Sequence, residues 1–155
     1  MDRSDDAGGA ARRDPITGLL NRSELDRLRL EDPDAPIGVV YIDVKDFRTY
    51  NQEVGMDSGD RAMADIVARL LRTSLPGTTI VRFGGDEFVA VVKGAPVPET
   101  LTAQLGAFRQ EFTTPSDPKC PSAALSLVMG TADVNSAAEL NVCMDIAQRD
   151  LWSRK

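Results

Sequence analysis

The sequence predicts a single α/β sandwich domain, with a central and mainly antiparallel sheet flanked by helices. Three observations lead there. Residues 37–44 (IGVVYIDV) form a nearly continuous apolar run rich in β-branched side chains, the mark of a strand buried on both faces. Two further apolar runs, 79–83 (TIVRF) and 88–92 (FVAVV), flank a short polar turn and so read as a hairpin. Stretches with helical periodicity fill the intervals, giving the order βααββαβα with no internal repeat.

The elements follow in order. Segment 1–13 is polar and Gly/Ala-rich, and is expected to be a disordered leader or linker before a domain covering 14–155. Asp14 to Leu19 is turn-forming. Asn21 or Ser23 then offers an N-cap for a helix over about 22–30, with Leu25, Leu28 and Leu30 on its apolar side. The Pro- and Asp-rich stretch 31–36 ends it. After the first long strand, a short helix over 47–54 stops at Gly55. A longer helix starts near Asp57 or Ser58 and spaces Ala62, Met63, Ile66, Val67, Leu70 and Leu71 for one buried face. Pro76-Gly77 ends that helix, and the hairpin follows. A helix near 98–113, a strand near 122–129 and a helix near 137–153 complete the chain.

Composition narrows the function classes. A net charge of −6 argues against a nucleic-acid polymer as partner, though not against a nucleotide, which needs only local cations and a metal. The chain has no histidine, so imidazole chemistry is excluded and acid–base work falls to carboxylates, lysine or a metal. Cys120 and Cys143 form neither a disulfide framework nor a metal spacing, which suits a reducing cytoplasm. No apolar stretch approaches the ~20 residues that span a bilayer, so no membrane contact is expected of this domain.

Asp43 sits where the apolar strand 37–44 runs out. It reads either as a cap for the following helix or as a ligand for magnesium, which takes one or two carboxylates beside water and phosphate oxygens. The turn Gly84-Gly85-Asp86-Glu87 bears on that choice, because a structural turn needs one acid rather than two. Glycines let a ligand approach the backbone without a Cβ in the way. If the hairpin pairs next to the first strand, Asp43 and Asp86 lie side by side and repel unless a cation lies between them. Asn51 and Asp60 read by themselves as helix-end caps, and Arg48 and Lys155 as surface charges.

The motifs resemble those of the GGDEF domain family, the diguanylate cyclases. The resemblance rests on Gly84 to Phe88 preceded by Arg82-Phe83, and on Asp14-Pro-Ile-Thr-Gly-Leu-Leu-Asn-Arg22, similar to D-x-L-T-G-L-x-N-R. It extends to Asp43 through Asp60, and to Ala147 through Lys155, similar to A-D-x-A-L-Y-x-A-K. The resemblance implies a fold related to nucleotidyl cyclases and ferredoxin-like proteins. It also implies condensation of two GTP into cyclic di-GMP at a homodimer, with Mg²⁺ or Mn²⁺ and with an attached sensor or receiver domain. By this resemblance Asp43, Asp86 and Glu87 hold metal together with the Val44 carbonyl, and Asp86 and Glu87 form the catalytic acidic pair. Gly84 and Gly85 then lie against phosphate, Asn51 and Asp60 face the guanine edge with Phe47 beside them, and Arg48 and Lys155 neutralise phosphate charge. An aspartate accepting from guanine N–H groups discriminates against adenine.

Three positions depart from the family pattern. Lys45 stands for the second aspartate of D-x-D, Gln52 for the aspartate after Asn51, and Met56 for histidine. Lys45 puts positive charge beside the expected metal, to weaken metal binding or to pair with Glu87. These departures define a second reading, a catalytically weak or inactive domain acting as a GTP-binding regulatory module. A third, an adenylate-type cyclase, is disfavoured by Asn51 and Asp60. Leu75-Pro76-Gly77-Thr78 occupies the place of the family's R-x-x-D inhibitory motif, so feedback by that route is not expected. In the strand near 122–130, Val128 stands where a glycine is usual.

Overall fold

In the computed structural model the described residues are 13–14, 17–94, 96–113 and 117–155. The expected leader therefore lies almost wholly outside them. The chain runs β1 (Leu20–Asn21), α1 (Ser23–Leu30), β2 (Ile37–Val44), α2 (Phe47–Val54), α3 (Met56–Arg72), β3 (Thr78–Arg82), β4 (Glu87–Lys93), α4 (Val97–Thr113), β5 (Leu127–Val134), a 3₁₀ turn (Ala137–Glu139) and α5 (Leu140–Ser153). The sheet has five strands in the order β1-β3-β4-β2-β5. Only β1 with β3 is parallel; β3 with β4, β4 with β2 and β2 with β5 are antiparallel. The expected sandwich and its mainly antiparallel sheet are present.

β2 is paired along both edges and covered on both faces, and all eight of its residues are buried. Alternation splits it between two cores. Val40, Ile42 and Val44 pack with Phe47, Met63, Ile66, Leu70, Leu101 and Phe108 of α2, α3 and α4. Ile37, Val39 and Tyr41 pack with Leu25 and Leu28 of α1 and with Leu140, Cys143, Ala147 and Leu151 of α5. Helices on both faces explain why the strand is continuously apolar rather than alternating.

Several boundaries differ from the expectations. The fifth strand begins at Leu127, not near 122, because 118–124 is a run of turns that bonds α3 through Ser122 and Asp65. β1 was not expected; two residues carry too little periodicity to be read. Leu30 and Leu71 are exposed, since each sits just off its helix's buried stripe. Neither Asn21 nor Ser23 caps α1 as expected: Arg22 is the cap residue, and Asn21 Oδ1 instead accepts from the amide and hydroxyl of Ser23 at 3.1 and 2.7 Å. α3 starts at Met56, directly after Gly55, whose φ of 90° separates it from α2. No described helix is long and apolar enough to cross a membrane.

In β5 the close helix approach is at Gly130, while Val128 packs partly buried in the α5-side core. A Cβ at Gly130 would lie 2.2 Å from the Ala147 carbonyl oxygen and 2.3 Å from the Leu151 amide, backbone atoms that cannot step aside. Gly130→Ala is therefore expected to destabilise the fold by about 3 kcal/mol, measured by urea unfolding. An unchanged midpoint would show that α5 shifts without cost.

Candidate active site

The acidic corner lies where β2 ends. The hairpin pairs next to β2 and the ladder sets Asp43 opposite Glu87, with Asp86 near enough to feel the Asp43 charge, the neighbourhood expected from the sequence. Asp86 is one residue further along the turn, and its carbonyl oxygen accepts from the Val44 amide at 2.9 Å. The three acids are thus neighbours. Burial first, and the Asp43 charge next, raise the Asp86 carboxyl above its ordinary range. Burial likewise leads in raising Glu87, followed by the charges of Asp43 and Asp86. A cation already answers part of this charge: Lys155 Nζ lies 2.6 Å from Asp43 Oδ2. The hydrogen bond to Asp43 is the leading cause that raises the Lys155 ammonium above its usual value. Lys45 is exposed and forms no ion pair with Glu87, so the pairing considered from the sequence is absent.

Next to this corner is a cavity of about 290 Å³ lined by Phe47, Arg48, Asn51, Met56, Asp60, Arg82, Gly85 and Asp86. Every base-side residue expected from the sequence faces it, and Asp86 belongs to both the cavity and the acidic corner. The α2–Gly55–α3 corner makes the cavity. Asn51 packs so tightly on Gly59 that a Cβ there would come within 1.7 Å of its Oδ1. That oxygen is buried and has no donor among the described residues, an unsatisfied acceptor next to a cavity. A larger concavity, about 670 Å³, lies around Arg69, Arg72 and Glu111 and contains none of these residues. Arg69 there is engaged structurally, with Glu111, Ser122 and the Phe112 ring.

The turn between β3 and β4 is held from within. The Phe83 and Gly84 amides donate to the Glu87 carbonyl oxygen at 2.9 and 3.2 Å. Arg82 reaches over it, donating to the Gly84 and Gly85 carbonyl oxygens at 3.3 and 2.6 Å and to Asp14 Oδ2 at 2.8 Å. Neither turn glycine has a positive φ. A Cβ at Gly84 would come within 3.1 Å of Glu87 Oε1, whereas beside Gly85 there is open space. The first glycine thus accommodates Glu87, and the second leaves room for a ligand.

The family model described as "Diguanylate cyclase, GGDEF domain" matches residues 11–155. The chain belongs to the GGDEF domain family. It is 33% identical over 132 residues to the probable diguanylate cyclase DgcC of Escherichia coli K12, covering 79% of this chain and 34% of that protein. It is 30% identical over 149 residues to the E. coli K12 diguanylate cyclase DosC, covering 92% and 32%. The chain thus spans about a third of the length of these curated relatives. Among solved structures, the coiled coil and GGDEF domain of DgcB from Caulobacter crescentus, in complex with c-di-GMP, matches with a TM-score of 0.79 at 21% identity, covering 97% of this chain and 84% of that one. The FimX GGDEF domain from Pseudomonas aeruginosa matches with a TM-score of 0.77 at 23% identity, covering 92% of each. These likenesses establish the fold.

In this GGDEF domain the residues expected to act together fall into two adjoining groups. Asp43, Val44, Asp86, Glu87 and Lys155 form one; Phe47, Arg48, Asn51, Asp60 and Gly85 form the other. Gly84 serves the first group through its contact with Glu87. Among the described residues no group of three potential ligands is gathered ready to hold a metal ion. The donor set still fits a hard divalent cation, being carboxylate oxygens whose mutual repulsion such an ion relieves. Arg82, Met56 and Tyr41 were not among the site residues expected from the sequence. Arg82 had a signal, its place just before the turn; Met56 looked only like a departure, and Tyr41 like core.

The Asp14 carboxylate accepts from the Thr17 amide and hydroxyl at 2.7 and 2.6 Å as well as from Arg82. Burial alone would raise its pKa, but these bonds outweigh burial and hold it below the ordinary 3.8. A lowered native pKa contributes stability that is present above the unfolded value and is lost as pH falls through the native one. Asp14→Asn is expected to cost about 2 kcal/mol at neutral pH, and its deficit against wild type shrinks below about pH 4 in urea titrations. A deficit independent of pH would refute the ion-pair account.

Proposed function

We propose that this domain is a diguanylate cyclase, condensing two GTP into cyclic di-GMP with release of two pyrophosphates. One observation carries the proposal: Asp86 lines the base-sized cavity of Asn51 and Asp60 and also stands beside Asp43 and Glu87. A site that joins a guanine edge to a carboxylate cluster is what transfer from a nucleotide α-phosphate requires. Asp60 and Asn51 would take the guanine N–H groups. Gly85 would let the phosphates approach the turn, and Arg48 and Lys155 would neutralise their charge. Bound at Asp43, Asp86, Glu87 and the Val44 carbonyl, Mg²⁺ or Mn²⁺ would supply charge neutralisation at the phosphoryl group. Glu87, with its raised carboxyl, would help take the proton of the attacking 3′-hydroxyl. Two domains would face each other, each 3′-hydroxyl attacking the other's α-phosphate in line, so dimerisation supplies the orientation. The working context would be the cytoplasm, with an attached sensor or receiver domain controlling the encounter.

Incubation with Mg²⁺ and either GTP or ATP tests the reading, which expects cyclic di-GMP from GTP alone. Asp86→Asn is expected to lower its formation by roughly 100-fold. GTP binding without product would instead favour a regulatory GTP-binding module, the reading supported by Lys155 lying on Asp43 and by Lys45 nearby.

Lys155 is expected to have two roles, as counter-ion to Asp43 in the free domain and as phosphate ligand when nucleotide is bound. Lys155→Met should therefore tighten Mn²⁺ binding roughly threefold without nucleotide, yet raise the KM for GTP roughly tenfold. Titration by electron paramagnetic resonance and steady-state kinetics read the two effects separately. Weaker metal binding in the variant would contradict the counter-ion role.

A further inference from the structure

We propose that Tyr41 and Gln148 are positioning residues that fix the Glu87 carboxylate at the acidic corner, an inference that rests on the cyclase reading above. Tyr41 is 2% exposed on the β2 face beneath α5, among Ile37, Val39 and Leu151, where an aliphatic side chain or phenylalanine would fill the space. Burying a hydroxyl there is unfavourable unless it is bonded. Its oxygen lies 3.5 Å from Glu87 Oε1 and accepts from Gln148 Nε2 at 3.3 Å. The Gln148 amide nitrogen can only donate and an ionised Glu87 can only accept, so the phenolic proton is directed at Glu87. The ring is held edge-on by Phe83, with centroids 5.8 Å apart at 66°. Gly84 leaves room for this placement, since a Cβ there would crowd the same oxygen at 3.1 Å. β2 through Tyr41, and α5 through Gln148 acting on Tyr41, thus bear on one carboxylate oxygen. Partners of this outer kind orient a ligand rather than touch the reacting atoms.

The test compares wild type, Tyr41→Phe, Gln148→Leu and the double variant by kcat and KM for cyclic di-GMP formation, Mn²⁺ affinity by electron paramagnetic resonance, and Tm. Tyr41→Phe keeps the ring and is expected to lower kcat and Mn²⁺ affinity about tenfold, with KM for GTP within about twofold and Tm little changed. The double variant should be no worse than Tyr41→Phe, because both changes act through one hydroxyl. Wild-type kcat and Mn²⁺ affinity in Tyr41→Phe would overturn the proposal, as would losses that merely track a lowered Tm. Absence of product from wild type would sink the cyclase reading alone. Mn²⁺ affinity then decides this proposal: weaker binding in Tyr41→Phe supports it and unchanged binding overturns it.

Discussion

The antiparallel pairing of β2 with β4 sets Asp43 opposite Glu87, and the rest of the site is arranged around those two carboxylates. β2 is shut in on both faces and both edges, so charge is tolerable only at its end. Asp43 emerges there, 7% exposed, and the β3–β4 turn brings Asp86 and Glu87 to the same place. Like charges held together in a partly buried corner are unfavourable unless something neutralises them. The Lys155 ammonium does so in part, at 2.6 Å from Asp43.

Keeping the acids together requires rigid support, and it comes from elements far apart in sequence. Arg82 ties the signature turn to Asp14 and so joins the segment before β1 to the β3–β4 turn. α5 brings Lys155 to Asp43 and Gln148 to Tyr41. Its close crossing at Gly130 sets how near that helix lies to the sheet. The base-side cavity depends instead on the α2–α3 corner, where Gly55 turns the chain and Gly59 admits Asn51. The two halves of the site therefore rest on opposite faces of one sheet and meet at Asp86.

Much of this was legible in the chain. Residues 37–44 predicted β2 to the residue, because burial on both faces leaves an unbroken apolar run. The hairpin, α2, α3 and α4 were legible for similar reasons of periodicity and glycine breaks. The start of β5 was misplaced by five residues, since residues 122–126 do not differ enough in character from a strand to mark the boundary. Leu71 was assigned to the core by spacing, although α3 turns it to solvent.

The sequence by itself determined the chemistry on offer: carboxylates without histidine, a glycine-bearing acidic turn, and motifs that resemble one family. Side-chain type and local period are written residue by residue, so they survive without a fold. Only tertiary structure decided that Glu87 is the residue directly opposite Asp43, that Lys155 rather than Lys45 answers the acids, and that a tyrosine resembling core carries a hydroxyl to Glu87. Strand register and helix docking bring together groups up to 112 residues apart, and no local pattern encodes such a meeting.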